Sequence, residues 1–507
     1  MKTVQIRTAL ISVFDKTGLD EIVKELDRLN VRILSTGGTL KYIEGLGVNV
    51  SSVEGLTSYP SILDGRVKTL HPKVFGGILA RREDDHQKQL EQYEIPEIDL
   101  VIVDLYPFEQ TVKETTDETT IIEKIDIGGI SLIRAAAKNY NDVVVVPSKE
   151  EYGTILQLLK DNDGAVNQAS RKALAAAAFR VSSHYDTLIY RYFAGAEVDG
   201  FKQSIHVSRT LRYGENPHQQ GWFHGDLTEV FDQLQGKELS YNNLVDVDGA
   251  IQIMREFKDD GPTFAVLKHT NACGVATRDS VVDAWNAALA GDPVSAFGGI
   301  LICNKAIDLA TAEEIDKLFY EVLIAPAFED DAMELLSKKK KRILLKLKYY
   351  PEVAKVHKSI LNGVIEQDAD LLMESAEGFE VATKNAPTSA ETEDLVFANK
   401  CAKHLKSNTI ALAKDKQLVG MGCGQTSRVD ALKQAIIKAR AFGLEVAGGV
   451  MASDAFFPFP DCVEIAHDAG INAVVQPGGS IRDKDSIEFC DSHGMSMVLT
   501  GNRHFKH

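Results

Sequence analysis

Short, largely apolar runs recur along this chain, each closed by a small polar turn and most followed by residues at helical spacing. Residues 100–105 (LVIVDL) are the plainest case, stopped by Tyr106-Pro107-Phe108. A continuous apolar run of that length is a strand buried on both faces, as in a parallel sheet covered by helices. Residues 8–13, 31–34 and 142–146 read the same way. Between the first two, Leu19, Ile22, Val23, Leu26 and Leu29 mark one face of an amphipathic helix. The alternation predicts one doubly wound α/β domain in the first part of the chain.

The turns carry the polar chemistry. Ser35-Thr36-Gly37-Gly38-Thr39 joins a strand to a helix predicted at 40–46. Free N–H groups and the helix dipole at such a junction suit an anion. Residues 64–82 (DGRVKTLHPKVFGGILARR) have no clean period. Their cations are interleaved with apolar residues, Gly and Pro, which favours a loop that grips an anion. Gly128-Gly129 give a tight backbone before a helix at 130–138. An Ala-rich helix at 169–191 is expected to connect domains or pack on the next one. The polar stretch 194–208 suggests domains at 1–197 and 198–507.

The second part opens with LRYGENPHQ (211–219), too polar for core. LSYNNLVDVD (239–248) is a similar turn before a helix at 250–257. Residues 264–276 (FAVLKHTNACGVA) are predicted as a buried strand ending in a small-residue turn, with a helix from 281. Lys268 and His269 stand at the mouth of that strand. An adjacent ammonium and imidazole can steady developing negative charge and move a proton. Residues 294–302 read as a strand interrupted by Gly298 and Gly299, allowing a close approach. The KKKKR run at 338–342 is expected to be a solvated turn or helix end, and the acidic 368–387 stretch to be surface. Strands are expected at 409–413, 418–422, 473–475 and 496–499. The strand, Gly-turn, helix pattern near Lys268 and again near Gly424 suggests two similar subdomains.

The 507 residues carry a formal net charge of -17, which argues against general nucleic-acid or anionic-membrane binding. The six cysteines form no C-x-x-C pair and are expected to be buried free thiols in a reducing cytosol. The first residues lack the apolar core of a signal peptide. A cytoplasmic protein is expected.

Taken in order, the motifs SVFDKTG, STGGT, GRVKTLHP, DLYPF, IDIGG, AAAKN, LRYGENPHQ, LKHTNACG, SAFGG, GCGQTSR, SDAFFPF, PGGS and NRHFKH cover nearly the whole chain. Together they resemble the bifunctional purine-biosynthesis family that joins an AICAR transformylase to an IMP cyclohydrolase. The resemblance implies a methylglyoxal-synthase-like N-terminal domain and a C-terminal transformylase domain of two cytidine-deaminase-like subdomains. It implies formyl transfer from 10-formyltetrahydrofolate to AICAR, then closure of FAICAR to IMP with loss of water. It implies a homodimer with transformylase sites across the interface. For formyl transfer it points to His269 for the proton, Lys268 for charge stabilisation and Asn408 in support. Arg212, Tyr213, Arg428 and Arg503 would meet the nucleotide. Ser453, Asp454, Phe456 and Phe457 would border the folate and carboxamide, with Asn243 and Gly299 also near substrate, while Phe459 is expected in the core. For ring closure it points to Lys68 and Tyr106 on the formyl oxygen and Asp126 and Lys138 at the carboxamide nitrogen. Ser12, Lys16, Thr36, Gly38, Thr39, Arg66, Thr69 and Gly128 would hold phosphate and ribose.

The chain departs from animal members in having no acidic residue just after its lysine run. No H-x-E with P-C-x-x-C is present, so no zinc is expected despite the deaminase-like fold. Three other readings compete: a zinc-free deaminase or other nucleotide hydrolase, an allosteric nucleotide-binding module lacking one activity, and metal binding by His504 and His507. The second is disfavoured because an effector site needs no Lys68, Tyr106 and Lys138. The third is disfavoured because no cysteine or carboxylate is expected to join the tail.

Overall fold

The computed structural model describes residues 3–63, 67–195 and 200–507. The chain divides into two compact units, Met1–His206 and Val207–His507.

The first unit is built on five strands: Thr8–Ser12 (β1), Arg32–Ser35 (β2), Val50–Ser52 (β3), Leu100–Val103 (β4) and Val144–Val146 (β5). They pair in the order β3-β2-β1-β4-β5, all parallel. The chain winds outward from β1, then returns to the other side of it. Right-handed crossovers therefore send the two sets of helices to opposite faces, and the ligand crevice opens at the carboxyl ends of β1 and β4. Helix α1 (Leu19–Arg28) buries Leu19, Ile22, Val23 and Leu26, as their spacing predicts. Helix α2 (Gly37–Gly45) starts three residues earlier than expected, inside the Gly-Gly turn. Helix α3 spans Gly128–Lys138.

The long helix α4 (Gln168–Ala194) is not the expected connector. Its first half packs on α3 and β5 of its own unit, burying Leu174, Ala175 and Ala178. Arg171 is fully buried and donates to the carbonyls of Tyr140 (2.8 Å) and Asn141 (3.0 Å).

The second unit carries one mixed sheet of twelve strands among the described residues: Phe231–Gln235 (β6), Thr263–Lys268 (β7), Asn271–Thr277 (β8), Ile300–Cys303 (β9), Val322–Ala325 (β10), Ile343–Leu347 (β11), Glu380–Val381 (β12), Ile410–Lys414 (β13), Gln417–Gly422 (β14), Val450–Ser453 (β15), Ala473–Gln476 (β16) and Ser496–Leu499 (β17). The order is β6-β11-β10-β9-β7-β8-β14-β13-β15-β16-β17-β12, two mirrored halves of six strands. They meet where Ala276 of β8 pairs with Gln417 of β14. Helices α5 (Tyr241–Glu256) and α6 (Val281–Gly291) serve the first half, and α7 (Ser389–Lys403) and α8 (Arg428–Ala441) the second. Residues of α5 and α7 share one core across the whole sheet, whereas the opposite face has a separate core in each half. Ala265 and Leu267 enter the shared core, and Phe264 and Val266 the other. Burial on both faces explains the unbroken apolar run.

Several expectations are corrected. Residues 264–276 are a hairpin, not one strand ending in a Gly turn. The reversal falls on His269 and Thr270, at φ 52° and 63°, residue types that give no glycine signal. The small residues of NACGVA serve packing instead. A Cβ on Gly274 would lie 1.8 Å from the Ala288 carbonyl oxygen of α6, and Gly422 stands in the same relation to Ala431 of α8. At 294–302 only Ile300–Cys303 is strand, and Gly299 lets the Leu267 carbonyl come close. The KKKKR run is not wholly solvated. Arg342 is buried, paired with Asp316 at 2.6 Å and stacked over Tyr320. The acidic 368–387 stretch is partly internal, with Glu374 and Thr383 buried. Five of the six cysteines are buried, none is disulfide-bonded, and Cys423 is half-buried.

Gly274→Ala is expected to destabilise the second unit by roughly 1–3 kcal/mol, because strand or helix must shift to admit a methyl group. Gly261→Ala, where the nearest atom would be at 3.6 Å, should be close to neutral. Urea denaturation midpoints of the two variants check this.

Candidate active sites

In the first unit, the residues singled out by sequence gather at the carboxyl ends of β1, β2 and β4. The Thr39 hydroxyl accepts from the Val13 amide (3.1 Å) and donates to the Val13 carbonyl (2.9 Å), tying the start of α2 to the end of β1. Thr36, the N-cap of α2, makes no side-chain cap. Its hydroxyl is committed to Glu54 at 3.0 Å, so it is a positioning contact rather than a free donor. The amides of Gly37 and Gly38 therefore begin a helix with open N–H groups. A Cβ on Gly37 would lie 3.1 Å from Lys68 Nζ, and one on Gly38 3.7 Å from Lys16 Nζ. Two ammonium groups and a helix N-terminus converge there, a fit for phosphate. Ser12 ends β1 beside them.

Next to this lies a second group. Asp126 accepts from the Gly129 amide at 2.6 Å, and its own amide donates to the Tyr185 hydroxyl oxygen at 2.7 Å. Burial raises the Asp126 pKa, against the lowering pull of backbone N–H groups and Lys68. Burial, with Asp126 and Asp104 nearby, also raises the Tyr106 pKa, so its phenol keeps its proton. The Tyr106 ring meets Phe14 edge-on at 5.6 Å, and Lys124 Nζ lies 5.7 Å from each ring. Thr69 reaches the first residue of α3: a Cβ on Gly128 would be 3.1 Å from its hydroxyl. Lys138 is not part of this group. It is exposed in the last turn of α3, about 15 Å along the axis from Gly128. Arg66 lies outside the described residues.

Sequence reasoning missed Asp104. Its carboxylate accepts from the amides of Phe14 and, at 2.9 Å, Asp15, and so shapes the loop that carries Lys16. Its place one residue after an apolar strand was the available signal.

In the second unit the candidates line one edge of the twelve-stranded sheet. Lys268 Nζ donates to the Phe297 carbonyl at 2.8 Å, and His269 is exposed at the hairpin tip. Asp246 of α5 accepts from the Thr270 amide at 2.8 Å and fixes the tip. The loop after Tyr213 reaches the same helix, where the Asn242 amide donates to the Glu215 carbonyl (3.2 Å). Arg212 and Tyr213 stack on each other at that loop. From the other half, Cys423 lies 3.4 Å from the Asn271 side chain, and Asn408 donates to the Gln425 carbonyl at 3.0 Å. Arg428 binds Asn408 Oδ1 (2.9 Å) and Asp454 Oδ1 (2.8 Å) together.

Here too some expectations change. Arg428 and Asp454 form a buried pair, so Arg428 organises Asn408 rather than offering a free cation to phosphate. Ser453 is buried and bonded to the Ala455 carbonyl. The Phe457 ring is fully buried in the second half's core, whereas Phe459, expected as core, is exposed beside Arg482. Phe456 is partly exposed. The Asn243 side chain closes a capping box with Ser240 at the start of α5. Arg503 is exposed over Phe505. Two carboxylates, Asp370 and Glu374, do join His504, at 2.6 and 3.1 Å. Clefts of about 350 and 450 Å³ lie elsewhere, around Arg32 and Glu94 and around Asp260 and Lys416. Among the described residues no helix is long and apolar enough to cross a membrane, and no group of three or more His, Cys, Asp or Glu could hold a metal ion.

Residues 136–438 match the family described as AICARFT/IMPCHase bienzyme, and residues 18–131 match the MGS-like domain. The bifunctional purine biosynthesis protein PurH of Bacteroides thetaiotaomicron is 57% identical over 504 residues, covering 99% of both chains. PurH of Acetivibrio thermocellus is 47% identical, covering 99% of this chain and 100% of its own, and that of Chlorobium chlorochromatii 46%, covering 99% of each. On these matches the chain belongs to the AICARFT/IMPCHase bienzyme family.

Proposed function

We propose that this bifunctional enzyme of purine biosynthesis houses its two activities in separate units. IMP cyclohydrolase would lie in residues 1–197, and AICAR transformylase in 198–507, the latter made of two cytidine-deaminase-like subdomains. The observation that carries the reading is the pair of separate polar groupings, Lys16 and Lys68 about the Gly37–Gly38 helix start and Lys268 beside His269 at the hairpin tip. Each can hold a phosphorylated imidazole intermediate beside proton-transfer groups, despite an acidic exterior. The partners are AICAR, FAICAR, IMP and 10-formyltetrahydrofolate, the last as co-substrate. The enzyme works as a cytoplasmic homodimer.

In formyl transfer the AICAR amine is conjugated with its ring and is a poor nucleophile. As it attacks the formyl carbon, His269 takes its proton and Lys268 steadies the oxyanion; when the oxyanion collapses, the bond from the formyl carbon to the folate N10 breaks, His269 returns the proton to that nitrogen and tetrahydrofolate leaves. The Asn408 amide, held by Arg428, orients the formyl group. In ring closure the carboxamide nitrogen attacks the formyl carbon of the same molecule, so positioning supplies much of the rate. Asp126, made more basic by burial, takes the nitrogen's proton. Tyr106 donates to the formyl oxygen and Lys68 steadies it; Asp126 passes its proton to the same oxygen, which leaves as water, and the former formamide N–H returns a proton to Tyr106 as the ring C=N bond forms.

With AICAR and 10-formyltetrahydrofolate the protein should yield IMP and tetrahydrofolate. Lys268→Ala should abolish formyl transfer while leaving closure of supplied FAICAR intact, and Lys68→Ala should do the reverse. Equal loss of both activities in either folded variant would refute the division. Tyr106→Phe keeps the ring on Phe14 but removes the donor. It is expected to slow ring closure by roughly 10²-fold, read by IMP absorbance, with formyl transfer unchanged.

A further inference from the structure

The C-terminal tail has no regular structure after β17, yet it is tightly held. His504 is 3% exposed. Its Nδ1 lies 2.6 Å from Asp370 Oδ2 and its Nε2 3.1 Å from Glu374 Oε2, so both ring nitrogens face carboxylates. The Asn399 amide of α7 donates to the same Glu374 oxygen at 3.0 Å, and Asn502 also faces Glu374. The remaining nearby charges are already engaged. Lys403 donates to Glu256 (2.9 Å) and to the Leu372 carbonyl (2.7 Å). His404 is held neutral by burial, its pKa lowered to about 4. Burial opposes a charge on His504 as well, but the two carboxylates outweigh it and raise its pKa to about 9.

The tail backbone is stitched to the formyl-transfer edge on both sides of this clamp. The His504 amide donates to the Asp454 carbonyl at 3.0 Å. The Ser407 amide donates to the Lys506 carbonyl at 3.0 Å, and the Lys506 amide donates to the Ser407 hydroxyl at 3.1 Å. Asp454 carries Arg428, and Ser407 precedes Asn408. Arg428 Nε and Asp454 Oδ2 are buried without a hydrogen-bond partner among the described residues.

We propose that His504 is a positioning residue for formyl transfer: clamped between Asp370 and Glu374, it holds the tail against Asp454 and Ser407 and so fixes Arg428 and the Asn408 amide. The inference rests on reading Asn408 as part of the formyl-transfer site. A histidine whose pKa is raised on folding contributes fully below its ordinary value, and the contribution is lost as pH rises through the raised one. The clamp is therefore intact at neutral pH and fails on the alkaline side, near 9.

The test uses the full-length protein and both half-reactions. With His504→Leu, kcat for formyl transfer is expected to fall by roughly 10²-fold, with KM little changed and closure of FAICAR unaffected. Wild-type formyl transfer should decline as pH rises through about 9. Asp370→Asn, at a half-exposed carboxylate, should move that decline to lower pH. In the double variant with Asn408→Ala the two losses should not add. A folded His504→Leu protein with wild-type kcat, additive losses, or an unmoved decline in Asp370→Asn would each overturn the inference. If His504→Leu fails to fold, the Asp370→Asn profile decides alone. Normal formyl transfer in Asn408→Ala would instead sink the site reading itself.

Discussion

Burial of the central strands on both faces governs where chemistry can occur in this chain. Leu100–Val103 and Val322–Ala325 have no exposed side at all. A polar group placed along such a strand would lose its water without compensation. Polar side chains that must meet a ligand are therefore confined to strand ends and the turns beyond them. Lys16, Asp104 and Tyr106 in the first unit, and Lys268, Asn408 and Asp454 in the second, all stand there.

The two units use that constraint differently. The first has a parallel sheet, in which the carboxyl ends of neighbouring strands coincide and a helix N-terminus follows. The phosphate site proposed for it draws on backbone N–H groups at Gly37–Gly38 and on two lysines beside them. The second has an antiparallel seam, in which the tip of the β7–β8 hairpin lies beside the end of β14 and the start of β13. The chemistry proposed for it draws on side chains from both halves. Close packing of helix backbone onto Gly274, Gly420 and Gly422 keeps the strands flanking the seam tight against α6 and α8.

Buried polar groups hold these edges in register. Arg428 joins Asn408 to Asp454, and Arg171 satisfies the carbonyls at the end of α3. Each replaces water that the surroundings exclude. An unpaired group at such a place would cost more than a pair contributes, which favours a single arrangement.

Local sequence determined four of the five strands of the first unit's sheet, missing Val50–Ser52, together with the helix periodicity of α1 and the residue types at many strand ends, because period and turn chemistry are properties of neighbours along the chain. It also marked Lys68, Tyr106, Asp126, Lys268 and Asn408 through their motifs. It misjudged the hairpin at His269–Thr270, because those residues adopt φ > 0 without glycine. It exchanged Phe457 and Phe459, because adjacent aromatics give no clue to which one faces inward. The clamp on His504, the engagement of Arg428 and the separation of Lys138 from Asp126 were decided only by tertiary structure. Each depends on which segments, remote in sequence, the sheets bring together, and no local pattern encodes that distance.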